Sequence, residues 1–315
     1  MKNTSNSNIT TTIIDTINTI FQNLFSSIDN SLYSVLDDIT FINNNILDDP
    51  YFDKIFGSSS SNGILLIANS LLLGFLLYFG IKYLFSNLTY SQIESPKQFI
   101  FKLIIFGILM NFSGTIVEQS ITILSNISLA IRELGKSLFN TDICFSTLIN
   151  KINNNISINT SSLNIFSIDG LIKGVMSLSL LNLVFSYSLR YIIIKVFILL
   201  TPFAFLSLSL EKTSWFFKAW IRNYFSLFFI QILVSLILVI LFSMNYSDKL
   251  VIKFIYVGGI YALIKANSIV KEFIGGLSTS LSLNVNNFIK KWFDIQINII
   301  LIRSDFYKIY IPTEL

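Results

Sequence analysis

The stretch GILLIANSLLLGFLLYFGIKYLF, residues 63–85, decides the class of this protein. A single charged residue, Lys82, interrupts it, close to its end. A run of about 18 or more apolar residues is long enough to cross roughly 30 Å of hydrocarbon as a helix. Further long apolar runs follow as far as Gly276. The sequence therefore predicts a protein that crosses a membrane several times.

The composition of the whole chain agrees with this prediction. Hydrophobic residues make up 53% of the 315 residues and charged residues 13%, and the mean hydropathy is +0.67. Soluble domains contain about 25% charged residues, so the shortage of charge is large. We predict an all-α, polytopic helical membrane protein with about five transmembrane helices, six being possible, and with amphipathic N- and C-terminal helices.

The residue types that are missing exclude several kinds of chemistry. The chain contains no His and one Cys, Cys144. A disulfide within the chain, a Cys/His zinc site and catalysis by a His base are therefore excluded. The glycine pairs at 258–259 and 275–276 lack the Lys and Ser/Thr of a phosphate-binding loop. We expect no enzymatic activity, no cofactor and no metal site.

The apolar pattern divides the chain into three segments. Residues 1–62 are predicted to form an extracytoplasmic amphipathic and acidic segment, 63–276 a transmembrane bundle with an outer loop at 125–170, and 277–315 a cytoplasmic amphipathic tail. Polar residues at the start argue against a signal peptide. Helical spacing of apolar residues predicts the N-terminal helix, at Ile14, Ile17, Phe21, Leu24 and Ile28. The tail is amphipathic through Phe288, Trp292, Ile295, Ile299 and Ile302, although alternation at 294–299 leaves its secondary structure open.

Within the bundle, one region admits two interpretations. The other spans are predicted at 63–85, 99–123 and 224–244, with a last one beginning at 250–264, a surface helix at 125–138 and a loop at 140–167. Residues 171–210 form either a hairpin that turns at 186–190 or one long span broken at Pro202. The single span is favoured, because Pro lacks a backbone N–H and residues 186–190 contain few turn-forming side chains.

The distribution of positive charge predicts the orientation, because Lys and Arg concentrate in cytoplasmic loops. With five spans and the N-terminus outside, 14 of the 22 Lys and Arg residues lie on the inner side. We therefore expect an outside N-terminus and a cytoplasmic C-terminus.

Two stripes of small and polar residues run along the predicted spans. Gly107, Asn111, Gly114 and Glu118 share one face of the second span, and Ser179, Asn182, Ser186 and Arg190 share one face of the third. Such a stripe is typical of a helix-packing seam but also of a transport path. Arg190, the deepest cation, either lines a hydrated path for an anion or reaches the inner headgroups.

One region resembles a known family. It is YIIIKVFILLTPFAFLSLSLEKTSWFFKAWIRNYFSLFFIQILVSLILVI, residues 191–240. In this stretch, an apolar helix reaches Thr-Pro, a polar turn containing Thr follows, and an element with Trp and basic residues opens the next span. This order resembles the central segment of TrbL-type proteins, which are polytopic inner-membrane subunits of conjugative type IV secretion systems. The matching residues are Pro202, Thr213, Trp220 and Arg222, and Trp215 also flanks the basic connector. Residues 256–277 are similar to the family's last span, which ends in a glycine break, here Gly275 and Gly276.

The resemblance implies a non-enzymatic component of a DNA-transfer channel in a bacterial cell membrane. It implies oligomerisation and contacts with other channel subunits and with ATPases that supply energy. The central loop is rich in Asn and Ser and not notably basic, so transferred DNA or protein is expected to be contacted only indirectly.

A small-solute transporter or permease subunit is the alternative. It would bind its solute at a polar site between the second and third spans, and it predicts that Asn111, Glu118, Asn182 and Arg190 converge.

Overall fold

The structure is a computed structural model that describes residues 15–16, 18–20, 23, 35–57, 63–89, 95–155, 168–244 and 250–275. All regular structure in these residues is helical, as predicted. We number the helices in chain order, α1 being residues 35–40. The others are α2 (Pro50–Phe56), α3 (Ile64–Thr89), α4 (Pro96–Asn111), α5 (Ser113–Phe139), α6 (Phe145–Asn155), α7 (Ile168–Leu199), α8 (Thr201–Ser207), α9 (Ser214–Ser243) and α10 (Leu250–Ile274), with 3-10 turns at Asn44–Ile46 and Glu211–Thr213.

Four helices of this set are long and apolar enough to cross a membrane. They are α3, α7, α9 with its preceding turn, and α10, and the bent pair of α4 and α5 adds a fifth crossing if it is one span. The chain is therefore an all-α, multi-pass membrane protein. α7 continues without interruption through residues 186–190 and ends at Leu199, so the single long span is confirmed and the hairpin is wrong. The break before Pro202 is where it was predicted.

The second predicted span is bent, which the sequence analysis missed. α4 and α5 meet at Phe112 with an angle of 58° between them. The Asn111 side chain donates a hydrogen bond to the Gly107 carbonyl at 2.8 Å. A side chain that binds the carbonyl four residues back competes with the helical ladder and often bends a helix. α3 and α9 continue without a break past the same contact at Asn69 and Asn223, so Asn111 alone does not explain the bend. Ser113 and Gly114 follow the break, and sharp kinks occur at such pairs.

The predicted outer loop at 125–170 is largely helical where the structure describes it. α5 continues to Phe139 and is ended by Asn140 in the left-handed conformation, with φ 52°. α6 follows, and residues 156–167 lie outside the described part. The predicted surface helix at 125–138 is thus the second half of α5, and it packs against α9 through Ser128 and Ser235 at 2.8 Å.

α9 lies at the centre of the bundle and α3 at its edge. The most apolar window of α9 is 61% buried, whereas that of α3 is 11% buried. A helix that is apolar on every side is expected in the interior of a large helical protein or in lipid. α9 meets the first condition because α5, α7 and α10 surround it, and α3 exposes most of its surface to the membrane.

The described part of the N-terminal segment belongs to the bundle. Leu36 packs in one core cluster with residues of α7, α9 and α10. Ile42, Ile46 and Phe52 pack in a second cluster with α5, α7 and α9. The predicted boundary at residue 62 therefore does not separate two units. The side of the membrane to which this segment belongs stays a prediction.

The predictions for the two ends of the chain are tested only in part. Residues 15–16, 18–20 and 23 are helical, but the five apolar positions that predicted an amphipathic helix lie outside the described residues, as do Gly276 and the whole predicted tail. Gly275 does end the last helix, with φ 68° and its N–H bonded to the Lys271 carbonyl at 2.9 Å. The left-handed conformation is one that glycine adopts without steric cost.

The adjacent glycines of α10 provide a test of the central packing. A Cβ at Gly259 would overlap the Leu241 side chain of α9, whereas a Cβ at Gly258 would meet open space. We expect Gly259→Val to lower the free energy of unfolding by about 1–3 kcal/mol, the usual cost of overpacking. Gly258→Val has the same helix propensity and is the matched control. Thermal unfolding in detergent measures both, and equal melting temperatures for the two variants would contradict the described α9–α10 contact.

Candidate functional site

Arg190 is fully buried in the interior of the bundle, where a charged side chain is costly. Its Nε donates a hydrogen bond to the Leu227 carbonyl of α9 at 2.8 Å. Its Nη1 donates to the Thr40 carbonyl at the end of α1 at 3.1 Å. Leu227 lies near the middle of α9. Arg190 therefore joins three separate parts of the chain at one point, and it does not reach the surface as the headgroup interpretation required.

Backbone carbonyls stabilise this cation. Thr40 is the last residue of α1, and the carbonyls at a helix C-terminus carry partial negative charge. The Tyr187 ring lies one turn away, its centroid 5.9 Å from the guanidinium carbon. No ion pair engages Arg190 within the described residues. The guanidinium thus acts as a clamp on neutral backbone groups, a role that Lys, with a single nitrogen, would not reproduce.

A second buried polar contact lies beside this clamp. Gln231 is fully buried, and its Oε1 accepts a hydrogen bond from the Ile42 N–H at 3.1 Å. Gln231 is one turn after Leu227 on the same helix. Gln231 was not among the predicted site residues, although an amide in the run FFIQILVSL is a readable signal.

Residues 40–49 run along the bundle and are held there by several side-chain contacts. The Asn44 amide donates to the Thr122 hydroxyl of α5 at 2.8 Å. The Asp49 carboxylate pairs with Lys195 of α7 at 3.3 Å and caps α2 by accepting from the Tyr51 N–H at 3.0 Å. We call residues 40–49 the inner strap. Its backbone contains little regular structure beyond one 3-10 turn.

A groove of about 570 Å³ opens beside the inner strap. The Arg132 guanidinium lies over the Phe41 ring there, 3.9 Å from its centroid. The groove is lined by Asp37, Asp38, Ile39, Phe41, Ile42, Asn43, Asn45, Ile46, Arg132 and Tyr191. Its lining contains two carboxylates, one guanidinium and two Asn side chains but no group of catalytic residues, so it can hold water or a polar ligand.

Asp37 connects the start of this region to α6. Its carboxylate accepts hydrogen bonds from the Phe145 and Ser146 N–H groups at 2.8 and 3.3 Å. Burial raises the pKa of Asp37 above its usual value, and these N–H groups and Arg132 oppose the shift. The desolvation of the charged form is thus the larger effect.

The four residues of the transporter hypothesis are not brought together. Asn111 exchanges amide hydrogen bonds with Asn69 of α3 at 3.1 and 3.3 Å, which is a helix-packing contact. Glu118 is exposed on α5. Asn182 is buried two turns before Arg190 on α7. Neither a hydrogen bond nor an ion pair joins any two of the four in the described part of the chain.

Three residues of the family pattern, Pro202, Thr213 and Trp220, lie in one connected element. After α7 ends, α8 runs from Thr201 and contains Pro202. The Thr213 hydroxyl donates to the Ser207 carbonyl at 2.7 Å, which closes the turn after α8. The indole N–H of Trp220 donates to the Phe197 carbonyl of α7 at 2.9 Å.

The two remaining members of the pattern differ in their surroundings. Trp215 is exposed at the start of α9. The Arg222 side chain lies beside Gly275, close enough that a Cβ on this glycine would be 3.5 Å from Arg222 Cδ. A cation is favourable at this position because α10 ends there.

Comparison of the chain with protein-family models, with curated proteins and with solved structures finds no match. The family resemblance therefore depends on the residues quoted above. Among the described residues, no group of three or more His, Cys, Asp or Glu side chains is arranged to hold a metal ion.

The clamp predicts how the inner strap responds to mutation. Hydrogen bonds to a charged group contribute about 1.5–3 kcal/mol, so their loss should raise the open population of the strap roughly 10- to 100-fold. We expect Arg190→Met to accelerate alkylation of an Ile42→Cys thiol, in a Cys144→Ser background, by such a factor. Asn69→Ala, which removes a remote hydrogen bond of α3, is the control. An unchanged alkylation rate in Arg190→Met would mean that Arg190 does not hold the strap.

The raised pKa of Asp37 predicts a pH-dependent stability difference. Its folded-state pKa lies above the unfolded value, so its contribution to stability is greatest when it is protonated and is lost as the pH rises through the folded pKa. We expect Asp37→Asn to be more stable than the wild type at pH 7 to 8, and this advantage to disappear as the pH falls towards the carboxyl pKa. Asp38→Asn, at the exposed neighbour, is the control. Melting temperatures in detergent across pH measure the difference, and a pH-independent difference would exclude ionisation of Asp37 as its cause.

Proposed function

We propose that this protein is a non-enzymatic membrane subunit of an export channel similar to the TrbL-type subunits of conjugative type IV secretion systems. The observation that carries the proposal is the connected element from Phe197 to Trp220. Residues selected by resemblance to a family are scattered over a break, a turn and two helices, yet Thr213 and Trp220 make the contacts that close this element. That arrangement supports the proposal, because residues that carry the resemblance are the ones that join α7, α8 and α9 in this region.

The proposal includes partners and an orientation. Energy would come from ATPase subunits, and the transferred DNA or protein would be contacted only indirectly. The chain would lie in a bacterial cell membrane with its N-terminus outside, its C-terminus in the cytoplasm and further channel subunits around it. The exposed surface of α3 gives room for both lipid and subunit contacts.

The transporter alternative has less support. It required a shared polar site of four residues, whereas Asn111 is engaged in helix packing and Glu118 is exposed. Arg190 is occupied by two carbonyls. These contacts do not support a transporter function.

The two tryptophans of the family pattern test the proposal. Trp220→Phe removes the hydrogen bond to Phe197 and keeps most of the aromatic packing, whereas Trp215→Phe changes an exposed side chain. Loss of a buried hydrogen bond costs about 0.5–1.5 kcal/mol, and more if the Phe197 carbonyl stays unpaired. We expect Trp220→Phe to lower both the frequency of DNA transfer and the recovery of secretion ATPases with the purified protein, and Trp215→Phe to lower them less.

A deletion strain provides the decisive outcome. Absence of the protein should abolish conjugative transfer, and the wild-type gene supplied in trans should restore it. Transfer at normal frequency without the protein, or purification from native membranes without any secretion subunit, would refute the proposed function. Immunoblots of membranes are needed to show equal amounts of each variant.

A further inference from the structure

The inner strap lies at the depth of the apolar core of α9. α9 carries no charged residue after Arg222, and the strap is tied to this charge-free part at two points. Arg190 bridges the Thr40 and Leu227 carbonyls, and Gln231 binds the Ile42 N–H. Asn44 binds Thr122, and Ser120, two residues earlier on α5, contacts Tyr224 of α9 at 2.6 Å. Residues 40–44 therefore lie level with the segment of α9 that is suited to hydrocarbon.

The outer side of the strap is polar at this depth. The side chains of Asn43 and Asn45 are exposed, and both line the groove of about 570 Å³. By contrast, other faces of the bundle expose apolar side chains at the same level, such as Phe229 of α9 and Ile192 of α7, which are 41% and 59% exposed.

Lipid is excluded as the neighbour of the strap on physical grounds. In hydrocarbon, each unsatisfied backbone polar group costs several kcal/mol, and irregular backbone occurs at membrane depth only where protein covers it or water fills a cavity. The strap therefore needs either a protein partner or water on its outer side.

We infer that the face formed by Asn43, Asn45 and the adjacent groove lines a water-filled passage within the membrane. The exposed amides of these two residues keep their hydration most easily in water, whereas a protein partner would have to provide a hydrogen-bonding group for each of them. A groove of this size holds on the order of 20 water molecules, at about 30 Å³ each. The inference rests on the proposed function for the identity of what passes through the membrane. The contact of this face with water can be measured independently of that function.

Thiol labelling in native membranes tests the inference. In a Cys144→Ser background, Asn43→Cys and Asn45→Cys place a thiol on the strap, and Ile192→Cys and Phe229→Cys place one on the apolar faces at the same depth. Only a thiolate reacts, and an apolar surrounding raises the pKa of a thiol. We expect a membrane-impermeant sulfonated maleimide, added to intact cells or to inverted vesicles, to label the strap at least about tenfold faster than the apolar controls, which corresponds to one unit of thiol pKa. Labelling after denaturation in SDS gives the total thiol.

Two results would overturn the inference. Equal rates at the strap and at the apolar positions would mean that nothing distinguishes this face from the lipid-facing ones. Slow labelling of the strap in native membranes, with fast labelling of the detergent-purified protein, would mean that a protein partner and not water covers it. Normal DNA transfer in a deletion strain would refute the proposed function without affecting the labelling result, so the two failures are distinguishable.

Discussion

The contacts of Arg190 are the constraint on which the rest of the bundle depends. A guanidinium in the interior needs acceptors for its N–H groups. The carbonyls of Leu227 and Thr40 accept from Nε and Nη1, whereas Nη2 has no hydrogen-bond partner among the described residues. The two bonds fix the depth of α7 against α9 and hold the irregular inner strap against the bundle. The strap in turn places Ile42, Ile46 and Phe52 in the core. A polar requirement thus determines how apolar surfaces pack.

Membrane-spanning segments were predictable from the sequence because length and hydropathy alone decide them. The apolar run at 63–85, the uninterrupted α7 and the break before Pro202 all follow from local properties of the chain. The bend at Phe112 was not predicted, since a hydropathy pattern contains no information about the relative direction of two successive helices.

The candidate site was predictable only in part, and for a related reason. Arg190 was singled out because a charge in a long apolar run is visible in the sequence. Its partners were not, because they are backbone carbonyls, which every residue possesses. The distribution of Lys and Arg predicted that residues 1–62 lie outside the cell, but it contains no information on how this segment packs. Side chains of α5, α7 and α9, far away in sequence, hold residues 40–49 against the bundle. The transporter alternative required Asn111, Glu118, Asn182 and Arg190 to converge, whereas Asn111 bonds Asn69 of α3 and Glu118 is exposed.

The hydrogen bond between Ile42 and Gln231 joins residues that are 189 positions apart, which has a consequence for biogenesis. Ribosomes add about 5–20 residues each second, so roughly 10–40 s pass between the synthesis of Ile42 and that of Gln231. During that interval the early polar residues have left the ribosome while the helices that shelter them are still being made. The N-terminal segment of this protein therefore remains in water or bound to a chaperone while the later helices are made. The bundle is completed late, when the last helices are inserted.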